Sequence, residues 1–275
     1  DHTPYDGFPT DIHRLAHYGE EGVLVMTSDS TNSHSPGFTK TEKAVGPTFE
    51  RIFSTSTGRV IMSTFSSNIH RVAQAIEKAL KHGRKICVIG RSMEKNLDIA
   101  MTLGYIKFPK DQFIEAHEIN KYTDKEVMIV TTGSQGESMS ALYRMAIHEH
   151  RHVKIKPEDQ IILSAKAIPG NEGSVSQIIN HLLKAGAKVA YQDYTDIHVS
   201  GHAAQEEQKL MLRLVKPKFF LPVHGEYNHA LKHGETGVDC GVLERNVYVM
   251  ADGEQIEVNP KYLKKVKSVK SGKVY

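Results

Sequence analysis

Cysteine is scarce: Cys87 and Cys240 are the only two in 275 residues, and they share no paired motif. That excludes a disulfide framework and a four-cysteine zinc site, and it suits a reducing cytoplasm. No apolar run approaches the ~18 residues of a membrane span, and no secretory h-region opens the chain. Neither charge sign dominates. Lysine and arginine number 35 against 32 acidic residues, a net +3, so charge alone does not demand nucleic acid. Internal repeats and low-complexity tracts are also lacking. The hydrophobic share of 39% with 24% charged excludes a wholly disordered chain. The length corresponds to about two domains or one large α/β unit, enough to bury roughly 70–75% of the unfolded surface. Histidine is the abundant type, at 16, and its placement is informative. Asp1-His2-Thr3-Pro4 lacks an initiator Met, and Lys270-Ser271-Gly272-Lys273-Val274-Tyr275 ends abruptly. The expectation is a piece of a longer protein.

Apolar runs of strand length alternate with helix-period segments. Val23–Met26, Arg59–Phe65, Lys85–Gly90, Val127–Thr132, Gln160–Ser164, Lys188–Tyr191 and Phe219–Val223 read as strands. Ile69, Val72, Ile76 and Leu80 recur at 3, 4 and 4 residues, one face of a helix, which Lys81-His82-Gly83 closes. Ser138–His148 and Ser174–Lys184 read as further helices. Such alternation predicts a mainly parallel sheet covered by helices. Ser33–Lys43 reads as a polar loop. Asn259–Lys273, lysine-rich and without an acidic residue, reads as a linker rather than a specific RNA contact.

In parallel sheets, ligands sit beyond the carboxyl ends of the strands. Several strands here run directly into polar loops. Ser28-Asp29-Ser30-Thr31-Asn32 places a carboxylate at a strand end, either an Asx turn or a group that orients a histidine, supports a metal or moves a proton. His198-Val199-Ser200-Gly201-His202 is either a turn with two satisfied histidines or a phosphate cradle, since Gly201 admits close backbone approach. His224, ahead of Gly225-Glu226-Tyr227, is either a core histidine or a metal ligand or general acid. His229 and His233 read as solvated helix positions. Gly133-Ser134-Gln135-Gly136-Glu137 lies between a strand and a helix, where amides can face an anion, but it is no Walker A loop. Ser63–Asn68, hydroxyls at a strand-to-helix junction, read as a helix cap or a phosphate contact. His148-Glu149-His150-Arg151-His152 imitates a metal motif, yet it falls among charges at a helix end.

Together these strings resemble the ribonuclease J family of β-CASP, metallo-β-lactamase-fold nucleases. The resemblance rests on Ser28–Asn32, His198–His202 and Leu221-Pro222-Val223-His224-Gly225-Glu226-Tyr227, in that order. Phe65–Arg71, Gly90-Arg91-Ser92-Met93 and Thr132–Glu137 extend it over nearly the whole chain. It implies catalytic roles for Asp29 and His202, metal ligation by His224, and substrate contacts by His198, Val199, Ser200, Gly201 and His202. Ser66, Ser67, Asn68, Gly133 and Ser134 join the implied RNA-binding set. The implied fold is a β-CASP domain inserted into a metallo-β-lactamase αββα domain of which only the later half is present. The corresponding ranges are 1–42 (metallo-β-lactamase part), 43–185 (β-CASP), 186–255 (returning metallo-β-lactamase part) and 256–275 (linker).

The resemblance further implies zinc, two ions per intact site, with Mn2+ or Mg2+ as substitutes. The implied substrate is RNA, especially with a 5′-monophosphate, cut by 5′-to-3′ exonuclease and endonuclease action in RNA processing and mRNA decay. Implied partners are a homodimer or homotetramer, an RNA helicase and the ribosome, in the cytoplasm. The family's His-x-His-x-Asp-His metal motif is missing from these residues, so the expectation is that this piece alone is inactive. Other readings are a β-CASP nuclease of RNA 3′-end processing or DNA repair, and a non-catalytic RNA-binding scaffold.

Overall fold

A computed structural model describes residues 3–168, 170–191 and 196–272. Asp1-His2 and Lys273-Val274-Tyr275, on which part of the reading of the chain ends rests, lie outside the described residues. The elements in chain order are α1 (Ile12–Glu21), β1 (Val25–Asp29), α2 (Gly46–Thr55), β2 (Val60–Ser63), α3 (Ile69–Lys81), β3 (Lys85–Ile89), α4 (Arg91–Thr102), β4 (Val127–Thr131) and α5 (Ala141–Ala146). There follow β5 (Gln160–Leu163), α6 (Glu172–Lys184), β6 (Lys188–Ala190), α7 (Gln205–Val215), β7 (Phe219–Val223), α8 (Tyr227–Asp239), β8 (Glu254–Val258) and β9 (Leu263–Ser268). No helix among the described residues is long and apolar enough to cross a membrane.

Two compact units emerge. One comprises Thr41–Val199 with Pro4–Gly7; the other takes Phe8–Lys40 and the chain from Ser200 onward. The first is built on a five-stranded, all-parallel sheet in the order β3-β4-β2-β5-β6. The two-residue period of a strand sorts its side chains between two cores. Val60, Met62, Met128 and Val130 join Phe49, Phe53, Ile76 and Met93 from α2, α3 and α4. The intervening Ile61, Val127 and Ile129 join Leu142, Met145, Ile178 and Leu182 from α5 and α6. A sheet with helices on both faces must be apolar on both faces, which is why these strands read as continuous apolar runs rather than alternating ones.

The other unit pairs β1 with β7 in parallel, Asp29 standing opposite Val223. Met26 and Phe220 pack with Leu212 and Val215 of α7. Gly19 of α1 lies so close to α7 that an added Cβ would fall 2.0 Å from the Leu214 carbonyl oxygen.

All seven predicted strands form. The helix expected at Ser138–His148 is shorter, Ala141–Ala146: Ser140 caps it through the Tyr143 N–H, and His148 turns to φ 64° just beyond its end. The linker reading of the tail is corrected. Residues 263–268 form β9, antiparallel to β8. Lys264 sits opposite Glu257 across the ribbon and pairs with it, and Lys265, opposite Ile256, pairs with Glu254, so the acidic partners missing from the tail itself come from the preceding strand.

Candidate active site

The parallel pairing of β1 and β7 brings two strand ends together. Asp29 closes β1, the Ser30 N–H donates to the Val223 carbonyl at 2.9 Å, and His224 follows directly. His224 has φ 61° and Gly225 φ 91°, so the chain turns left-handed over two residues before α8 begins. A side chain at Gly225 would press on Thr31 Cα and the His229 ring, so glycine lets the turn close against the Asp29 loop. A histidine held at positive φ is uncommon, and such outliers concentrate at functional positions.

His202 arrives from the loop ahead of α7. Its Nδ1 is 2.8 Å from Asp29 Oδ2, and His224 Nε2 is 3.9 Å from the same oxygen. Both imidazole rings, 5.4 Å apart, and the carboxylate are partly open to solvent. Among the described residues these three form the one group whose ligand atoms, all within 4.8 Å of one another, could hold a metal ion. The His148–His152 imitation forms no such group.

Burial alone would raise the Asp29 carboxyl. The Thr31 backbone N–H, donating at 2.8 Å, and then His202 outweigh it, so the carboxyl sits below its ordinary range. An ionised carboxylate only accepts, so His202 Nδ1 carries the proton and Nε2 is left for another partner. The loop carrying His202 is pinned. Its carbonyl accepts from Asn32 Nδ2 and Thr39 Oγ1, both at 2.8 Å. Ser200 Oγ accepts from Asn32 Nδ2 at 3.0 Å and from the His202 N–H at 3.2 Å. A Cβ at Gly201 would meet nothing within 4 Å, so that backbone is open to close approach.

Other expected residues belong to the Thr41–Val199 unit. His198 Nδ1 accepts from Arg71 Nη1 at 2.5 Å, and burial, then the Arg71 charge, push its pKa down to about 4. Arg71 is fully buried. It grips the Glu42 carboxylate at 2.6 and 2.7 Å and donates to the Val199 carbonyl at 2.9 Å. Ser66, Ser67 and Asn68 lead from β2 into α3, and Ser66 Oγ accepts from Asn96 Nδ2 at 3.1 Å. Gly133 and Ser134 are buried. A Cβ at Gly133 would fall 2.3 Å from Ser140 Oγ, and the neighbouring Gln135 bonds the loop from Lys166 to Asn171.

His233 corrects the solvated reading: it is fully buried on α8, edge-on to Phe220 and hydrogen-bonded to Ser30 Oγ at 3.1 Å. Only its position one turn beyond His229, on the face that carries Ala230, could have signalled this. Nothing in the sequence pattern singles out Thr39, Gln208 or Glu42. Gln208 Nε2 donates to the Asp29 carbonyl at 3.3 Å.

Residues 57–182 match the family described as "Ribonuclease J, beta-CASP domain". Residues 186–249 match "Zn-dependent metallo-hydrolase RNA specificity domain". The chain is 66% identical over 275 residues to ribonuclease J of Helicobacter pylori (strain B128), covering all of this chain and 40% of that protein. It is 49% identical over 254 residues to ribonuclease J 1 of Streptococcus pyogenes, covering 92% of this chain and 45% of that one. It is 38% identical over 257 residues to ribonuclease J2 of Bacillus subtilis, covering 94% and 46%. The parallel, helix-flanked sheet and the two matches give the chain a β-CASP domain followed by an RNA specificity domain of the metallo-hydrolase type. Within that class the chain carries the ribonuclease J type of β-CASP domain and is similar to ribonuclease J along its whole length. It spans less than half the length of these curated relatives.

Proposed function

We propose that this chain carries the RNA-binding and catalytic side chains of a zinc-dependent ribonuclease that hydrolyses phosphodiester bonds. Its action is 5′-to-3′ exonucleolytic and endonucleolytic, with preference for a 5′-monophosphate. The observation that supports the reading most is the Asp29–His202–His224 cluster at the ends of paired parallel strands. His224 is the zinc ligand of this cluster, imidazole being a donor that zinc takes, while Asp29 and His202 stand beside it to act on the substrate. A two-ion centre needs further donors, which this cluster does not include. A bound zinc ion would supply hydroxide at neutral pH and positive charge beside the phosphate.

The chain's own residues do the rest. Asp29 stays ionised and holds His202 in one tautomer. His202 Nε2, when protonated, donates to the phosphate oxygens as they gain charge, or hands its proton to the leaving oxygen. Ser200 keeps its hydroxyl proton as a donor, because its oxygen already accepts from Asn32 and His202. Gly201 lets the backbone approach the phosphate.

The test uses the full-length protein and His224→Ala, each with RNA bearing a 5′-monophosphate, triphosphate or hydroxyl. Zinc or manganese is supplied or chelated. Mononucleotide release, fastest from the monophosphate and lost on chelation and in the variant, is the expected result. Internal cuts alone would confine the activity to endonuclease action, and RNA binding without cleavage would make the protein a scaffold.

A further inference from the structure

His233 takes no part in the chemistry above, yet it is a buried imidazole tied to the strand end that carries Asp29. Its Nδ1 bonds Ser30 Oγ at 3.1 Å, and Ser30 is itself fully buried. Its ring packs edge-on against Phe220 of β7, centroids 4.9 Å apart, and its Nε2 is buried without a protein hydrogen bond. A second tie runs in parallel: Ser33 Oγ donates to the His229 carbonyl at 2.8 Å. Residues of α8 therefore hold both ends of the Ser30–Ser33 turn, whose Ser33 N–H donates to the Ser30 carbonyl at 3.0 Å. The same helix starts three residues after His224.

A phenylalanine or leucine would fill the space beside Phe220 with no desolvated nitrogen. Retaining an imidazole whose one bond goes to Ser30 has a cost in stability, and the return is geometric. The bond fixes Ser30. Ser30 is peptide-bonded to Asp29, whose carboxylate must reach both His202 and His224.

We propose that Ser30 and His233 are a positioning pair that sets Asp29 against His202 and His224, a reading that rests on the nuclease function proposed above. The pair holds the carboxylate through the backbone and touches neither metal nor RNA. Groups that orient a ligand in this way typically change metal affinity or activity by about 10–100-fold when removed.

The test compares His233→Leu, His233→Gln, His233→Asn, Ser30→Ala and the double variant Ser30→Ala/His233→Leu in the full-length protein. Three quantities are read: zinc affinity by competition with a chromophoric chelator, kcat and KM on 5′-monophosphorylated RNA, and Tm. The amide of asparagine reaches about where Nδ1 stands, and that of glutamine about where Nε2 stands. His233→Leu, His233→Gln and Ser30→Ala should lower zinc affinity and kcat by about tenfold or more, with KM nearly unchanged. His233→Asn should recover most of the loss. The double variant should be no worse than the poorer single, because both remove one bond.

Equal zinc affinity and kcat in folded His233→Leu would overturn the pair. So would losses that follow Tm alike in Leu, Gln and Asn, since that is mere packing. Zinc affinity is read without cleavage. If the parent protein cuts no RNA, the nuclease function fails, while an affinity drop in His233→Leu restored by Asn still supports the pair and equal affinities still overturn it.

Discussion

One carboxylate, Asp29, receives hydrogen bonds from the Thr31 N–H and from His202 Nδ1 and lies 3.9 Å from His224 Nε2. Charge on this group therefore matters more than its shape. Asp29→Ala and His202→Ala should each lower turnover by about 100-fold or more, with RNA affinity retained, as single-turnover cleavage and filter binding on the same preparations would show. A loss confined to binding would remove both residues from the chemistry. The buried histidines make a second residue-scale prediction. Burial lowers His198 and His233 from 6.5 to about 4, so each is neutral in the folded chain. The unfolded state binds their protons first. The stability linked to them is fully present above about pH 6.5 and drains away as pH falls toward about 4. Tm measured across that window should fall with acidification, and His233→Asn should flatten the slope. An unchanged slope would mean that carboxylates alone set the acid sensitivity.

Among the elements, β2 and β5 are locked at their amino ends by a buried pair. Arg59 donates to Asp159 at 2.8 and 2.5 Å and to the Lys154 carbonyl at 2.8 Å, with both residues almost wholly buried. The pair's net contribution is modest, because desolvation of two charges offsets their attraction. Removing one partner is different, since it strands the other charge. Arg59→Ala should cost about 3–5 kcal/mol in urea unfolding, and the further change to Asp159→Ala on that background should return part of it. The elements most legible in the sequence were those whose pattern reports burial on two faces. Strands β2 to β5 read as apolar runs because helices cover both sides of their sheet. Strand β9 reads as a linker in sequence because its lysines find their acidic partners on β8, and a two-stranded ribbon leaves no buried face to show in the pattern. The α5 segment looks longer in sequence than it is, since apolar spacing does not reveal that Ser140 caps the helix and that the chain leaves it before His148.

At the scale of the whole molecule, the chain passes from one compact unit into the other near Lys40 and returns near Val199. The Thr41–Val199 unit has a complete five-stranded sheet with a core on each face. Residues 41–199 expressed alone should fold and unfold cooperatively by circular dichroism, and a molten product would show that the unit needs the rest of the chain. Sequence alone determined the α/β class, the seven parallel strands and the residue types at their carboxyl ends, because burial periodicity and turn chemistry are local. It also carried the strings that resemble ribonuclease J. The contact between Asp29 and His202, which are 173 positions apart, was decided only by tertiary structure. That contact depends on the register of β1 against β7 and on Asn32 and Thr39 gripping the His202 carbonyl. Likewise nothing local distinguishes the buried His233 from its partly exposed neighbour His229. Whether a histidine is a proton carrier, a ligand or a strut depends on what the fold brings against each nitrogen, and no pattern along the chain records that.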